Sequence, residues 1–161
     1  MIEPTSPAQI TAWNDQEDRR VTEIIRRHGC FIQVVAGDPG TPPFAYTVGL
    51  FGVGHPELIV FGLDLESAGF TLNWFFDRIR AGEDLIPGQI VEPPRSGMRF
   101  LVEIFPEPGA ALYAANRHYQ RPREASVPAY QLTWDVNNAF PWEPGYPYPA
   151  WLQPRPGDYV E

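Results

Sequence analysis

Apolar residues recur along this chain with two periods, and the switches between them mark out its elements. Val21, Ile24, Ile25 and His28 stand at i, i+3, i+4 and i+7, one face of a helix. Arg19, Arg20, Glu23, Arg26 and Arg27 take the wet face, Asn14 and Glu17 have capping-box spacing, and Gly29 stops the run. The spacing predicts a helix over 15–28, preceded by a loose polar lead-in over 1–12. A short apolar strand follows over 30–35, then a loop in which Asp38-Pro39-Gly40 predicts a β-turn. From Phe44 the period is two: Phe44, Tyr46, Val48 and Leu50 share one face, and Ala45, Thr47, Gly49 and Phe51 the other. The small residues of the second face leave room for a helix or a ligand to approach closely. Residues 58–63 are almost all apolar, as expected of a strand covered on both faces in the middle of a sheet.

Asp64 is placed to cap a second helix whose buried stripe is Leu65, Ala68, Leu72, Phe75, Phe76 and Ile79, ended by Gly82. Residues 85–91 read as an edge strand, because Pro87-Gly88 interrupts them. Over 98–105, Phe100, Val102 and Ile104 alternate with Arg99 and Glu103. Pro108 suits the first turn of a third helix with Ala111, Leu112, Ala115 and Tyr119 inward, and 129–134 alternates again. The order αβββαββαβ with short connections implies an α+β single domain over 1–161: an antiparallel or mixed sheet with about three helices packed on it. From Phe140 the character changes, with six prolines and six aromatics in the last 22 residues. Such a segment is neither helix nor inner strand, so 140–161 is expected to be an extended arm whose aromatics pack on the chain itself or on a second subunit.

Composition then narrows the function classes. Twelve basic against twenty acidic residues give a net charge of −8, which speaks against nucleic acid as a partner. All twelve basic residues are arginine, so Schiff-base chemistry, a Ser-Lys dyad and a Walker lysine are excluded. The one cysteine, Cys30, makes no internal disulfide. The N-terminal sequence has no signal-peptide pattern and no apolar run reaches ~20 residues, so the expectation is a cytoplasmic chain without a membrane span. Three scattered histidines and Cys30 do not have zinc-site spacing, so no metal is expected. Neither GxSxG nor GxGxxG is present, so no cofactor is predicted. Flavin is the minor alternative, raised by the FAYTVGL strand.

The sharpest polar feature is Gly54-His55-Pro56-Glu57. In an extended segment His55 and Glu57 point the same way, and a histidine beside a carboxylate can serve as a general base near neutral pH. They are the candidate catalytic residues, with Tyr46, Thr47, Tyr119, Gln131 and Trp134 as candidate ligand-binding residues. The competing reading has His55 closing a turn and Glu57 in solvent.

FAYTVGL, then GHPELIVFGL, then a helix ending in glycine, and finally QLTW leading to FPWEPGY together resemble the DUF4262 family of uncharacterised bacterial proteins, over roughly residues 20 to 146. The order of the motifs carries the likeness. One departure lies at Trp134: QLTWDVNNAFPW lacks the Pro and Gly of the family's QxxWPDxxGxFPW pattern, so the turn into the arm differs. The resemblance implies no activity. Two functions stay open: a small-molecule-binding protein or small enzyme with a His/Glu pocket, or an interaction module that docks a partner or a sister subunit through the arm.

Overall fold

Six strands form one mixed sheet: β1 (Phe31–Val35), β2 (Phe44–Val48), β3 (Glu57–Phe61), β4 (Ile90–Val91), β5 (Phe100–Ile104) and β6 (Ala129–Trp134). They lie in the order β1-β2-β3-β6-β5-β4 in the computed structural model, which describes residues 6–161. Every pairing is antiparallel except that of β3 with β6, where Glu57 stands opposite Ala129 and Ile59 opposite Gln131. The last strand of the chain thus lies in the middle of the sheet and joins the β1-β2-β3 meander to the β4-β5 hairpin. β3 is buried on both faces, as its unbroken apolar run requires.

Helix α2 (Leu65–Arg80) covers one face. Its Ala68, Leu72, Phe75, Phe76 and Ile79 pack with Ala45, Leu58, Val60, Phe100, Val102, Leu132 and Trp134 of the strands. The opposite face carries α1 (Pro7–His28) and α3 (Tyr113–His118), with Val21, Leu112, Ala114 and Ala115 against Phe31, Phe44, Tyr46, Val48, Ile59 and Phe61. The small second face of β2 is therefore used by α2. The element order and the α+β architecture are those the two periods imply. No helix among the described residues is long and apolar enough to cross a membrane.

Several details differ from the pattern. Pro108–Ala110 form a separate 3-10 turn, so the third helix begins only at Tyr113, and the edge strand shortens to Ile90–Val91 because Pro87-Gly88 turn the chain before it. α1 starts at Pro7, not near 15, because Ser6 and Gln9 form a reciprocal capping box with bonds of 3.0 and 3.1 Å. Residues 7–12 are helical in consequence, and 1–5 of the expected lead-in lie outside the described residues. Leu65 is exposed, since the first turn of α2 extends past the sheet, and the buried Thr71 joins its inner face. Ile104, at the end of β5, is exposed too, beyond the reach of α2.

Past β6 the arm runs through turns and extended chain onto the domain's own body. Gln153 brackets Trp134, accepting from its amide at 2.7 Å and donating to its carbonyl at 3.1 Å. At Gly62 (φ +83°) a Cβ would lie 2.7 Å from the Leu152 carbonyl oxygen, so only glycine lets the arm pass this close. Arg155 then forks onto Glu103 with two bonds of 2.7 Å, and Tyr159 packs against Phe44, Phe61 and Phe105. The arm thereby covers the β5-β6 half of the face that α1 and α3 leave open. A stack fixes its start: Arg99 lies over Phe140, Phe140 is parallel to Trp142 at 5.0 Å, and Arg155 lies over Trp142.

Candidate functional site

The β2–β3 connection holds the sequence's sharpest polar residues, and the fold consumes them. Gly49 (φ +137°) turns the chain where a Cβ would sit 2.6 Å from the Gly29 carbonyl oxygen. The turn aims successive amides at one point. Glu57 Oε2 accepts from the amides of Gly49 (3.0 Å) and Phe51 (3.1 Å), and Oε1 from the Leu50 amide (3.0 Å) and the Thr47 hydroxyl (2.7 Å). Thr47 Oγ1 in turn accepts from the Leu58 amide at 2.9 Å. Burial holds the Glu57 pKa above the ordinary carboxylate value, and the bonds from Thr47 and the three amides offset only part of that rise. The amides can only donate, so this nest is built for the charged carboxylate.

His55 is equally committed. Its Nδ1 donates to the Pro56 carbonyl at 2.7 Å, since that oxygen can only accept, and its Nε2 accepts from the Leu85 amide at 3.2 Å. The two partners assign the tautomer and tie the loop after α2 to the β2–β3 turn. His55 and Glu57 are both buried, do not bond to each other, and spend their hydrogen-bonding capacity on different parts of the backbone. Of the competing reading, the turn-closing hydrogen bonds of His55 are present, whereas Glu57 is buried and not in solvent.

The remaining candidates divide. The Tyr119 hydroxyl accepts from the Gly52 amide at 3.0 Å while its ring meets Phe51 edge-on, and burial pushes its pKa up to about 12. Trp134 donates from Nε1 to the Phe61 carbonyl at 2.7 Å. Gln131 donates to the Pro154 carbonyl at 2.7 Å, leaving its buried Oε1 without a partner among the described residues. These residues hold turn, sheet and arm together. Cys30 is buried, and desolvation, with the Glu57 charge adding, pushes its thiol up to about 12, far from a thiolate nucleophile. Among the described residues no three His, Cys, Asp or Glu side chains gather as a metal site.

Of the predicted set, Tyr46 reaches a hollow. A cavity of about 250 Å³ opens between α1, α3 and the end of the arm, walled by the rings of Trp13, Phe44, Tyr46, Tyr113 and Tyr159. The Tyr46 hydroxyl accepts from the Ala114 amide at 2.9 Å, and burial raises its pKa to about 12, so it stays a phenol. Glu17, Gln33 and Arg117 add polar groups to the same cavity. Arg117 is held through Nε by Asp18 at 2.9 Å, which leaves the two terminal nitrogens of its fork without an acceptor among the described residues. Trp13 and Tyr113 are 42% and 47% exposed. Neither was singled out from the sequence, since five separated segments supply the walls and no local period links them.

The fold and these sites define a small α+β domain with a mixed six-stranded sheet, a carboxylate-pinned β2–β3 turn and a proline-rich arm folded back on the sheet. The model for the family described as "Domain of unknown function (DUF4262)" matches residues 24–147. The chain belongs to that family. Neither a curated protein nor a solved structure matches it.

Proposed function

We propose that this protein binds a small molecule in the aromatic hollow between α1, α3 and the arm. The observation that carries the reading is the composition of that cavity: aromatic walls, with a carboxylate (Glu17) and a guanidinium (Arg117) whose bonding capacity the fold leaves partly unused. A volume of about 250 Å³ fits a compact metabolite carrying a flat apolar part and one or two polar groups. Among the described residues Glu17 is paired only at 3.5 Å with Arg20, and Arg117 meets Asp18 through Nε alone, so the remaining oxygen and nitrogens suit a polar aromatic compound or a zwitterion. His55 and Glu57 are not reagents in this reading; they hold the β2–β3 turn whose strand presents Tyr46. The protein is read as a cytoplasmic binder, and no reaction is assigned to it.

The test is a thermal-shift screen of zwitterionic and aromatic metabolites, followed by titration of Trp fluorescence. A hit should lose at least tenfold in affinity in Trp13→Ala, which keeps the fold because Trp13 is half exposed. A hit whose affinity ignores Trp13→Ala and Glu17→Gln together overturns the assignment.

One observation favours a second reading, in which a second copy of the chain docks on the arm. Trp142, Tyr148 and Trp151 are 51%, 45% and 42% exposed although the arm is otherwise folded down. Deleting the arm would expose the sheet, so the informative variant is Trp142→Ser with Trp151→Ser. If the arm mediates association, sedimentation velocity shows an oligomer for the parent chain and a monomer for this variant.

A further inference from the structure

The end of α3 and the segment after it carry Arg117, Arg121 and Arg123, three of the chain's twelve basic residues within seven positions. They line a groove of about 580 Å³ together with Tyr113 and Gln120, on a protein whose net charge is −8. We infer that this groove binds a small dianionic phosphate monoester, a ligand distinct from that of the aromatic hollow.

Charge bookkeeping sets the valence. Arg117 is neutralised by Asp18, and Arg123 is paired with the side chain of Glu161, which also accepts from the Tyr113 hydroxyl. Arg121 has no carboxylate partner among the described residues: its Nε donates to the Ala125 carbonyl at 2.7 Å and its guanidinium lies over the Phe51 ring. Two carboxylates of the chain therefore already answer the groove's arginines, and one guanidinium stays uncompensated. A ligand that displaces Glu161 meets two uncompensated forks, the match for a dianion. The Arg121 fork is held by its bond to Ala125 and by the Phe51 ring, so it loses little freedom on binding, while Arg123 exchanges Glu161 for the ligand. The half-exposed Tyr113 ring offers a face to an aromatic ester group.

A second observation comes from the backbone. Tyr119 caps α3, and the Arg121 amide returns to the Asn116 carbonyl at 2.8 Å, the Schellman closure. The residue between them takes φ +54°, a left-handed position where glycine is cheapest, yet it is Gln120. That glutamine also lines the groove. Gln120 gives up the stability a glycine would supply at this position, and its side chain lies beside the three arginines.

The experiment is isothermal titration of the full chain with phenyl phosphate, with benzoate as the monoanionic control. The expected result is saturable binding of phenyl phosphate, at least tenfold weaker in Arg121→Ala with Arg123→Ala and several-fold tighter in Glu161→Gln. Benzoate should bind at least tenfold more weakly than phenyl phosphate. Gln120→Gly should raise the melting temperature by about 3 °C while weakening the phosphate. Arg117 is left intact because it also borders the aromatic hollow, so failure here leaves the proposal for that hollow standing. No saturable heat with phenyl phosphate, equal affinity for benzoate, or indifference to the loss of Arg121 and Arg123 overturns the inference. These side chains are exposed, so circular dichroism of the variants should match the parent, and a weakened titration then reports the groove itself.

Discussion

The β2–β3 turn and the α1–α3 face contain the same kinds of residue and use them oppositely. In the turn, Glu57, Thr47 and His55 each face partners inside the fold, and both oxygens of the carboxylate take two donors. On the α1–α3 face, Arg117 and Arg121 are held by one nitrogen and leave the rest of the fork open. A polar group whose bonds are all made inside stabilises a shape and is poor at recognising anything else. One that is positioned yet under-used can recognise a ligand without first breaking structure. Charge and motif sharpness do not separate the two regions; the tally of unused donors and acceptors does.

The comparison breaks most visibly at Glu57. Glu57→Gln replaces two acceptor sites by a donor facing a donor-only nest, and should lower unfolding free energy by about 4 kcal/mol in urea titration. Whatever stays folded should bind hollow ligands unchanged; a loss of affinity at full stability would place Glu57 in a functional site after all. Trp13→Ala is the mirror case, with less than about 1 kcal/mol lost in the same titration and ligand affinity reduced. The smallest effect concerns His118, at the end of α3 beside Thr22 of α1. Burial lowers its pKa below the ordinary histidine value, with Asp18 pulling the other way, and its Nδ1 lies 3.4 Å from Thr22 Oγ1. A lowered folded value means the unfolded chain takes up the proton first. The contribution is then full above pH ~6.5 and lost as pH falls through the folded value. His118→Gln should flatten the fall in stability below pH ~6.5, a change small beside that at Glu57.

The architecture was legible because α2, β3 and β6 carry long, unambiguous periods, and each face they imply is the face they bury. The start of α1 was not. Ser6 and Gln9 cap a first half that has no apolar stripe, with Ile10 and Trp13 largely exposed, so periodicity alone dates the helix too late. The fate of His55 and Glu57 was illegible for a different reason. Alternation predicts where a side chain points in a strand, yet Gly54 (φ +85°) and the turn before it break the strand, and the partners are backbone amides whose aim no residue type announces. Tyr46 was found because it alternates in a regular strand. Trp13, Tyr113 and Tyr159 complete its cavity from distant segments and leave no local signature.

The place of β6 has a consequence for how the chain is made. Synthesis delivers the first meander and the β4-β5 hairpin as two fragments, and only residues 129–134 seam them together. Until those residues leave the ribosome, β3 and β5 each carry an open row of amides and carbonyls, the kind of edge that pairs with a neighbouring nascent chain. The seam joins segments about 70 residues apart in sequence, so closing it carries a larger loop-closure cost than any hairpin of the sheet. A chain that has not yet exposed residues 129–134 therefore has its sheet still in two pieces.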